Sequence, residues 1–295
     1  MATPTTVAIL SPGEMGHAIG RVLARRGLRV ITSLDGRSQR TVSLARAAGI
    51  EDVGSLDRVV MEADVIFSVL PSAAAPILAS DVAGRLAGRG RPITFVECNA
   101  LAPRTVQQIA EVVSRAGGRV VDVGIIGSPP TENRGPRFYA SGPWVDDFVA
   151  FRDFGLDVRP IGREIGQASG IKMCYAALTK GLSALGTELL LAAARLDLLD
   201  PLLAELESSQ QPLREWLERA LPGMPSKSRR WVSEMEEIAA TLEHLGLSPG
   251  YHRAAANLFR WIGETELARE HPESRDTSRT LRATVEKLVQ GQPGA

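Results

Sequence analysis

Short apolar runs separated by helical patterns fill the first half of the chain. These runs predict buried strands at residues 6–10, 29–34, 64–70, 92–97 and 119–123. Helical patterns lie between them, for example at residues 41–48 and 103–116; the second begins with a proline and ends at a glycine. This alternation predicts a parallel, doubly wound sheet, which later strands at residues 138–140 and 157–161 extend.

The pattern changes near residue 162, after which no clear strand appears. Helical patterns follow at residues 169–196, 201–206, 212–221, 228–245 and 249–270, separated by turns rich in proline and glycine. We therefore predict an α/β N-terminal domain over residues 1–164 and an all-α C-terminal domain over residues 165–295. The long helix that begins near residue 169 joins them.

Composition agrees with two domains and narrows the class of function. The chain has 295 residues, more than one average core needs, and 34 acidic residues balance 34 basic ones. The chain has no basic excess that would indicate a nucleic-acid partner, and no apolar run has the length of a membrane span. The N-terminus lacks the basic region and the long apolar run expected of a signal peptide. Two distant cysteines indicate neither a disulfide framework nor a metal site. We expect a cytoplasmic protein that acts on a small molecule.

A glycine-rich turn follows the first predicted strand and leads directly into a helical pattern. It comprises Ser11, Pro12, Gly13, Glu14, Met15 and Gly16, with serine where a dinucleotide fingerprint has its first glycine. Gly13 would let a pyrophosphate approach the backbone, and Gly16 would let the helix pack on the strand. The position favours a Rossmann domain with a dinucleotide at the helix N-terminus. The alternative is an ordinary strand–helix turn with a capping glycine.

The end of the second strand bears on the choice of cofactor. An acidic residue there binds a ribose 2′-hydroxyl, whereas a nearby arginine accommodates a 2′-phosphate. Asp35 therefore favours NAD(H), while Arg37, Ser38 and Arg40 favour NADP(H). We predict NADP(H), because Arg37 can contact a phosphate in a planar fork and Ser38 can donate a hydrogen bond. Arg40 is equally explained as a solvated loop residue.

Several motifs, in this order and spacing, resemble the β-hydroxyacid dehydrogenase superfamily, which includes 3-hydroxyisobutyrate and 6-phosphogluconate dehydrogenases and, more distantly, imine reductases. The resemblance is greatest to a branch with a 6-phosphogluconate-dehydrogenase-type NAD-binding domain and a divergent helical C-terminal domain of unknown function. The motifs lie at residues 13–16, 69–72, 97–103, 122–127 and 166–172.

This resemblance implies roles for three further segments. The loop Leu70, Pro71 and Ser72 would flank the cofactor, and Asn99 would lie beside the nicotinamide and the substrate. The alternative for Asn99 is a residue at the end of its strand that caps the following helix. The turn that holds the substrate in relatives is altered here to Gly-Ile-Ile-Gly-Ser, which keeps backbone N–H donors near Gly127 and Ser128.

Lys172 matches the catalytic lysine of the family. Only four of the 34 basic residues are lysines, so a lysine among small and apolar neighbours is unusual in this chain. A lysine whose pKa is lowered by burial or nearby positive charge can exchange a proton near neutral pH, whereas the pKa of arginine stays above about 12. Lys172 is therefore the predicted general acid or base. The alternative is an interfacial lysine with a solvated ammonium group.

Other residues of the helical half depart from the family pattern. Relatives carry Asn where this chain has Ala176, and Tyr175 is the expected substitute for contact with the substrate. Arg230 is a candidate for binding an anionic substrate group, although an ion pair with Glu234 four residues later explains it as well. Lys180 is expected to be a solvated or interdomain charge.

The sequence thus predicts an NADP-dependent oxidoreductase that transfers a hydride between nicotinamide and a small 3-hydroxy acid or related carbonyl compound. No metal is expected. An imine reductase, or a non-catalytic NADP-binding regulatory or accessory protein, is the alternative. We also expect a homodimer through the helical domain, because its Ala- and Leu-rich helix has more apolar surface than one domain covers.

Overall fold

The computed structural model describes residues 4–131, 134–271 and 274–291. The chain divides into two compact units, Met1–Met173 and Cys174–Ala295. The first unit is built on one eight-stranded sheet and the second is helical, so the predicted fold class is confirmed. The domain boundary at residues 164 and 165 stays a prediction.

The sheet of the first unit has the strand order β3-β2-β1-β4-β5-β6-β7-β8. Its strands are β1 (Thr6–Leu10), β2 (Arg29–Thr32), β3 (Glu51–Asp52), β4 (Val65–Ser68), β5 (Thr94–Glu97), β6 (Arg119–Ile126), β7 (Arg137–Ser141) and β8 (Asp157–Gly162). The order reverses between β1 and β4. In a doubly wound sheet, ligands bind at this reversal, outside the carboxyl ends of the strands.

One pair of neighbouring strands departs from the predicted parallel arrangement. β6 and β7 are antiparallel, with Asp122 opposite Ser141 and Ile126 opposite Arg137. A parallel connection needs a crossover of a dozen or more residues, usually a helix. Only ten residues separate these two strands, so the chain turns back beside β6.

Helices cover both faces of the sheet. They are α1 (Glu14–Arg25), α2 (Gln39–Ala47), α3 (Leu56–Glu62), α4 (Ala75–Ala83), α5 (Pro103–Arg115) and α6 (Val145–Val149). Val7 and Ile9 of β1 belong to one buried cluster with α1 and α6, whereas Ala8 belongs to a second cluster with α4 and α5. This alternation is expected of a strand buried on both faces, where successive side chains point to opposite sides.

The helix α7 (Gln167–Arg195) begins in the first unit and continues into the second. The second unit also contains α8 (Leu199–Ser209), α9 (Gln211–Ala220), α10 (Ser228–His244), α11 (Gly250–Glu264) and α12 (Leu281–Gln290). The sequence patterns missed only α12 among these helices. The predicted helix over 249–270 ends earlier, at Glu264, and a 3-10 turn (Glu266–Arg269) follows it.

Candidate functional site

The glycine-rich turn connects β1 to α1 and requires a left-handed backbone at Ser11. The φ angle of Ser11 is 64°, a region that a non-glycine residue adopts at a cost of about 1–2 kcal/mol. Its carbonyl accepts a hydrogen bond from the N–H of Gly13 at 2.7 Å. Serine therefore takes the conformation for which the fingerprint normally uses glycine.

The same turn brings α1 against the strand at Gly16. A Cβ atom added there would lie 3.1 Å from both Cγ2 of Ile9 and the carbonyl oxygen of Ser11. Gly13, in contrast, has space around its Cα, so no contact within the protein requires a glycine there. Open space at Gly13 and close packing at Gly16 fit the roles that a dinucleotide needs at these two positions. Of the remaining turn residues, Glu14 and Met15 begin α1, and Pro12 precedes its N-cap, Gly13.

The loop after β2 carries the residues that the sequence predicts to distinguish the two nicotinamide cofactors. Asp35, Arg37 and Ser38 are exposed, and Gly36 turns the chain with a φ angle of 66°. Ser38 is the N-cap of α2, and its hydroxyl accepts a hydrogen bond from the N–H of Thr41. Arg37 thus stands beside a helix N-terminus, where N–H groups and the helix dipole favour an anion.

The loop after β4 is tied to the loop after β5. The hydroxyl of Ser72 is buried and donates to the carbonyl of Ala100 at 2.8 Å. The N–H of Leu70 donates to Oδ1 of Asn99 at 2.6 Å. Pro71 is exposed between them. All three predicted residues of this loop therefore lie at the carboxyl edge of the sheet, next to Asn99.

Asn99 is 6% exposed, and its amide is engaged within the protein. Because a backbone N–H can only donate, the contact with Leu70 fixes Oδ1 on that side of the amide. Nδ2 donates to Oγ of Ser68 at 2.8 Å and to Oε1 of Glu97. Both amide hydrogens are used, so a ligand meets at most a lone pair of Oδ1. Asn99 connects β4 and β5 and does not cap α5, whose N-cap is Ala102.

Glu97 is a fully buried acid beneath Asn99. Its Oε1 accepts hydrogen bonds from the N–H and the amide of Asn99. Burial, together with the nearby charge of Asp122, raises the pKa of Glu97 to about 8, although hydrogen bonds from Asn99 and Ser68 act in the opposite direction. Glu97 is therefore mostly uncharged at neutral pH.

Lys172 lies near the start of α7 and contacts the strand β6. Its ammonium group donates a hydrogen bond to the backbone carbonyl of Ile125. A Cβ atom added at Gly124 would lie 2.4 Å from the carbonyl oxygen of Ala168 and 3.0 Å from Cβ of Lys172. Only glycine lets α7 approach β6 this closely. Lys172 is half-buried and lies at the carboxyl end of β6.

Gly127 and Ser128 form an exposed turn directly after β6. Gly127 has a φ angle of 131°, and a Cβ atom there would lie 3.0 Å from Cα of Pro136. Glycine is therefore required where the chain leaves the strand. The turn follows Ile125, the residue that accepts the hydrogen bond from Lys172, by two residues.

The second unit contains the other predicted residues. Tyr175 is exposed on α7, and the position where relatives carry Asn, Ala176, is buried. Nε of Arg230 lies 3.2 Å from Glu234, as the ion-pair alternative predicts. Lys180 is only 8% exposed and its Nζ lies 2.9 Å from Glu234. The expectation of a solvated Lys180 is wrong, because α10 brings a carboxylate to this face of α7.

Sequence reasoning missed the roles of two acids, Glu97 and Asp122. They occupy paired positions on the neighbouring strands β5 and β6, and both are 1% exposed. An ionisable residue inside an apolar strand pattern was the available signal, since such residues are rarely buried without a specific partner. Within the described part of the chain, no group of three or more His, Cys, Asp or Glu could hold a metal ion. No described helix is long and apolar enough to cross a membrane.

Comparison with known proteins finds two family models that match parts of this chain. Residues 6–146 match the family model described as the NAD binding domain of 6-phosphogluconate dehydrogenase, and residues 193–262 match a domain of unknown function, DUF1932. These two matches confirm the predicted combination of domains. The first covers β1 to β7, including the glycine-rich turn and the paired acids.

Three individual proteins illustrate the similarity. The conserved protein MTH1747, described as structurally similar to 3-hydroxyacid dehydrogenases, is 30% identical over 88% of this chain and 97% of its own, with a TM-score of 0.65. An uncharacterized 28.5 kDa protein of Methanothermus fervidus is 26% identical over 88% of this chain and 99% of its own. The 3-hydroxyisobutyrate dehydrogenase of Mycobacterium tuberculosis is 16% identical over 96% of this chain and 99% of its own, with a TM-score of 0.67, which indicates a shared fold alone.

Proposed function

Because the chain belongs to the family that joins a 6-phosphogluconate-dehydrogenase-type NAD-binding domain to a DUF1932 domain, we propose that it is an NADP-dependent oxidoreductase. Its reaction would transfer a hydride between nicotinamide and a small 3-hydroxy acid or related carbonyl compound. One observation carries this proposal: Lys172 lies at the carboxyl end of β6, the edge of the sheet where Gly16 and Asn99 also lie.

Lys172 would be the general acid or base. The bound nicotinamide supplies the hydride, and the protein must supply position and a proton. As a neutral amine, Nζ of Lys172 can take the proton of a hydroxyl group as the hydride leaves; as an ammonium, it can give a proton to the oxygen of a carbonyl as the hydride arrives. Its hydrogen-bond acceptor on Ile125 is a backbone carbonyl, which is uncharged. This acceptor orients the ammonium group without placing a charge beside it.

The cofactor would lie along the carboxyl edge from the glycine-rich turn to Asn99. Arg37, beside the N-terminus of α2, and the cap residue Ser38 favour a 2′-phosphate and hence NADP(H). Asp35 on the same loop is the feature that would favour NAD(H). Leu70, Pro71 and Ser72 would flank the cofactor. The Oδ1 of Asn99 could accept a hydrogen bond from the carboxamide of the nicotinamide, or from a substrate hydroxyl.

The substrate would meet the turn of Gly127 and Ser128. This turn is exposed and follows the strand that orients Lys172, so its backbone and hydroxyl donors are available to an acid group. Tyr175 and Arg230 remain candidates through the family resemblance. Since Arg230 already pairs with Glu234, it would bring to an anion only those guanidinium N–H groups that Glu234 leaves.

A substitution series tests the role of Lys172. Wild type would be assayed with NADPH and NADH against a panel of 3-hydroxy acids and the matching carbonyl acids. We expect Lys172→Met and Lys172→Arg to lower kcat about 10²–10⁴-fold, because neither side chain can exchange a proton near neutral pH. Lys287→Met, at an exposed position of α12, is the matched control and should retain full activity.

The same series separates the alternatives. Retention of turnover by Lys172→Met would overturn the proposed chemistry. Tight NADPH binding with no turnover on any substrate would favour a regulatory or accessory protein. Reduction of cyclic imines but not of carbonyl acids would favour an imine reductase, although members of that group usually lack this lysine. Higher kcat/KM with NADH would overturn the NADP preference.

The helical unit would also form a homodimer. Tyr175, Leu178 and Leu185 are 46%, 61% and 46% exposed and recur on α7 at helical spacing, so they share one face. A row of large exposed apolar side chains favours association, because it leaves apolar surface in water. Size-exclusion chromatography with light scattering should give twice the chain mass, and a monomer at micromolar concentration would contradict the proposal.

A further inference from the structure

Asp122 is a buried carboxylate that binds the beginning of α7. Its Oδ2 accepts hydrogen bonds from the N–H of Gly166 at 2.9 Å and of Ser169 at 3.0 Å, and its Oδ1 accepts one from Oγ of Ser169 at 2.5 Å. The first N–H groups of a helix have no partner within the helix and are usually capped by a residue just before it. Here a strand of the sheet supplies the cap.

A second side chain from the sheet extends this cap. Oγ of Ser141, on the neighbouring strand β7, accepts a hydrogen bond from the N–H of Ala168 at 3.0 Å and contacts Oδ2 of Asp122 at 3.3 Å. The start of α7 is therefore fixed to two strands through the backbone N–H groups of Gly166, Ala168 and Ser169. Burial raises the pKa of Asp122, while the hydrogen bonds from Ser169, Gly166 and Ser141 lower it.

The cap and the lysine act on the same short segment of β6. Asp122 binds the first turn of α7, Gly124 allows the helix to approach, and Ile125 accepts the hydrogen bond from Lys172. Lys172 follows Ser169 by three residues, about one helical turn. Rotation or displacement of the first turn would therefore move the Lys172 ammonium group relative to the strand.

We propose that Asp122 is a positioning residue for Lys172, which it holds in place on β6 by capping α7 through Gly166 and Ser169. This inference rests on the proposed role of Lys172 and goes further, because it assigns the acid that sets the position of that group. Asn at position 122 keeps the size of the side chain but lacks the negative charge. Its Nδ2 can only donate, so the hydrogen bond from the hydroxyl of Ser169 must reverse, and the N–H groups of α7 lose a charged acceptor.

The scarcity of lysine in this chain makes a direct test possible. Reductive methylation with ¹³C-formaldehyde labels the four lysines Lys172, Lys180, Lys227 and Lys287 and the N-terminal amine, and a dimethylated lysine keeps one N–H to donate. Lys172→Arg identifies the Lys172 signal in the NMR spectrum. In Asp122→Asn, we expect this signal to shift or broaden while the signals of Lys227 and Lys287 stay unchanged. Amide exchange at residues 166–169 should accelerate about tenfold, as expected for a lost helix cap.

Matched variants complete the test. Asp147→Asn changes a partly buried Asp of the first unit, which accepts from Thr94 at the opposite, amino end of β5, and it should leave the Lys172 signal unchanged. Ser169→Ala removes one of the three hydrogen bonds and should give a smaller shift of the Lys172 signal. If Asp122→Asn does not fold, an unchanged Lys172 signal in Ser169→Ala would overturn the inference. An unchanged Lys172 signal in folded Asp122→Asn, or an equal change in Asp147→Asn, would overturn the inference. No readout needs a substrate, so failure here is distinct from failure of the proposed reaction.

Discussion

Each unit of this protein buries a glutamate, and the two units neutralise it differently. Glu97 of the first unit is 1% exposed and bonded to Asn99, with burial raising its pKa to about 8. Glu234 of the second unit is 8% exposed and contacts the cations of Lys180 and Arg230. A buried acid must gain a proton or a counter-ion. The candidate site of the first unit therefore contains a carboxyl group that can change charge near neutral pH. The helical unit contains a buried ion pair instead.

Removal of the cation beside Glu234 tests the ion pair of the helical unit. We expect Lys180→Met to lower the free energy of unfolding by about 2–3 kcal/mol, because the buried carboxylate of Glu234 loses one counter-ion and keeps the more exposed Arg230. Urea denaturation followed by circular dichroism measures this loss. The double variant Lys180→Met with Glu234→Gln should recover most of the stability, since it removes the charge as well. A loss below about 1 kcal/mol in the single variant would mean that the pair is solvated.

Replacement of Glu97 should change the pH dependence of stability. Below its ordinary pKa of 4.5 the acid is protonated in both states; between 4.5 and about 8 only the folded state keeps the proton. Stability should therefore fall by about 1.4 kcal/mol per pH unit over this window and level off above it. Glu97→Gln mimics the protonated acid, so it should remove this slope and be more stable than wild type at pH 8.

Denaturation at several pH values between 5 and 9 measures this difference. Glu51→Gln is the control, because Arg29 lowers the pKa of that exposed acid and its titration lies below the window. It should keep the wild-type slope. The raised pKa of Asp122 acts in the same direction as that of Glu97, so part of the slope can remain in Glu97→Gln. A slope equal to wild type in Glu97→Gln would show that the carboxyl group is already charged.

Much of the fold follows from local patterns. The predicted helices 103–116 and 228–245 are found as Pro103–Arg115 and Ser228–His244, because a proline starts the first and an amphipathic pattern runs through both. The structure also has strands within the predicted apolar runs. The strand within 64–70 is shorter than the run, and the strand predicted at 119–123 extends beyond it. β6 reaches Ile126 because β7 pairs with it along its length, and no local pattern reports such pairing.

The candidate site was only partly predictable. The positions of Ser11, Gly16 and Lys172 carry signals in residue type and spacing. The hydrogen bonds of the Asn99 amide were not predictable from the sequence. Its partners Leu70 and Ser68 lie about 30 residues earlier in the chain, in and just after another strand. The burial of Lys180 was not predictable for the same reason, because its partner Glu234 lies on a different helix.

The sequence by itself determined the two-part architecture, the glycine-rich turn and the position of Lys172 among small neighbours, because these depend on residue type and local periodicity. Only the tertiary structure decided which acids are buried, which of them takes a proton, and which carboxylate caps α7. These outcomes depend on desolvation and on partners brought together across the sheet. Asp122 and Ser169 are 47 residues apart in the chain and 2.5 Å apart at their oxygens.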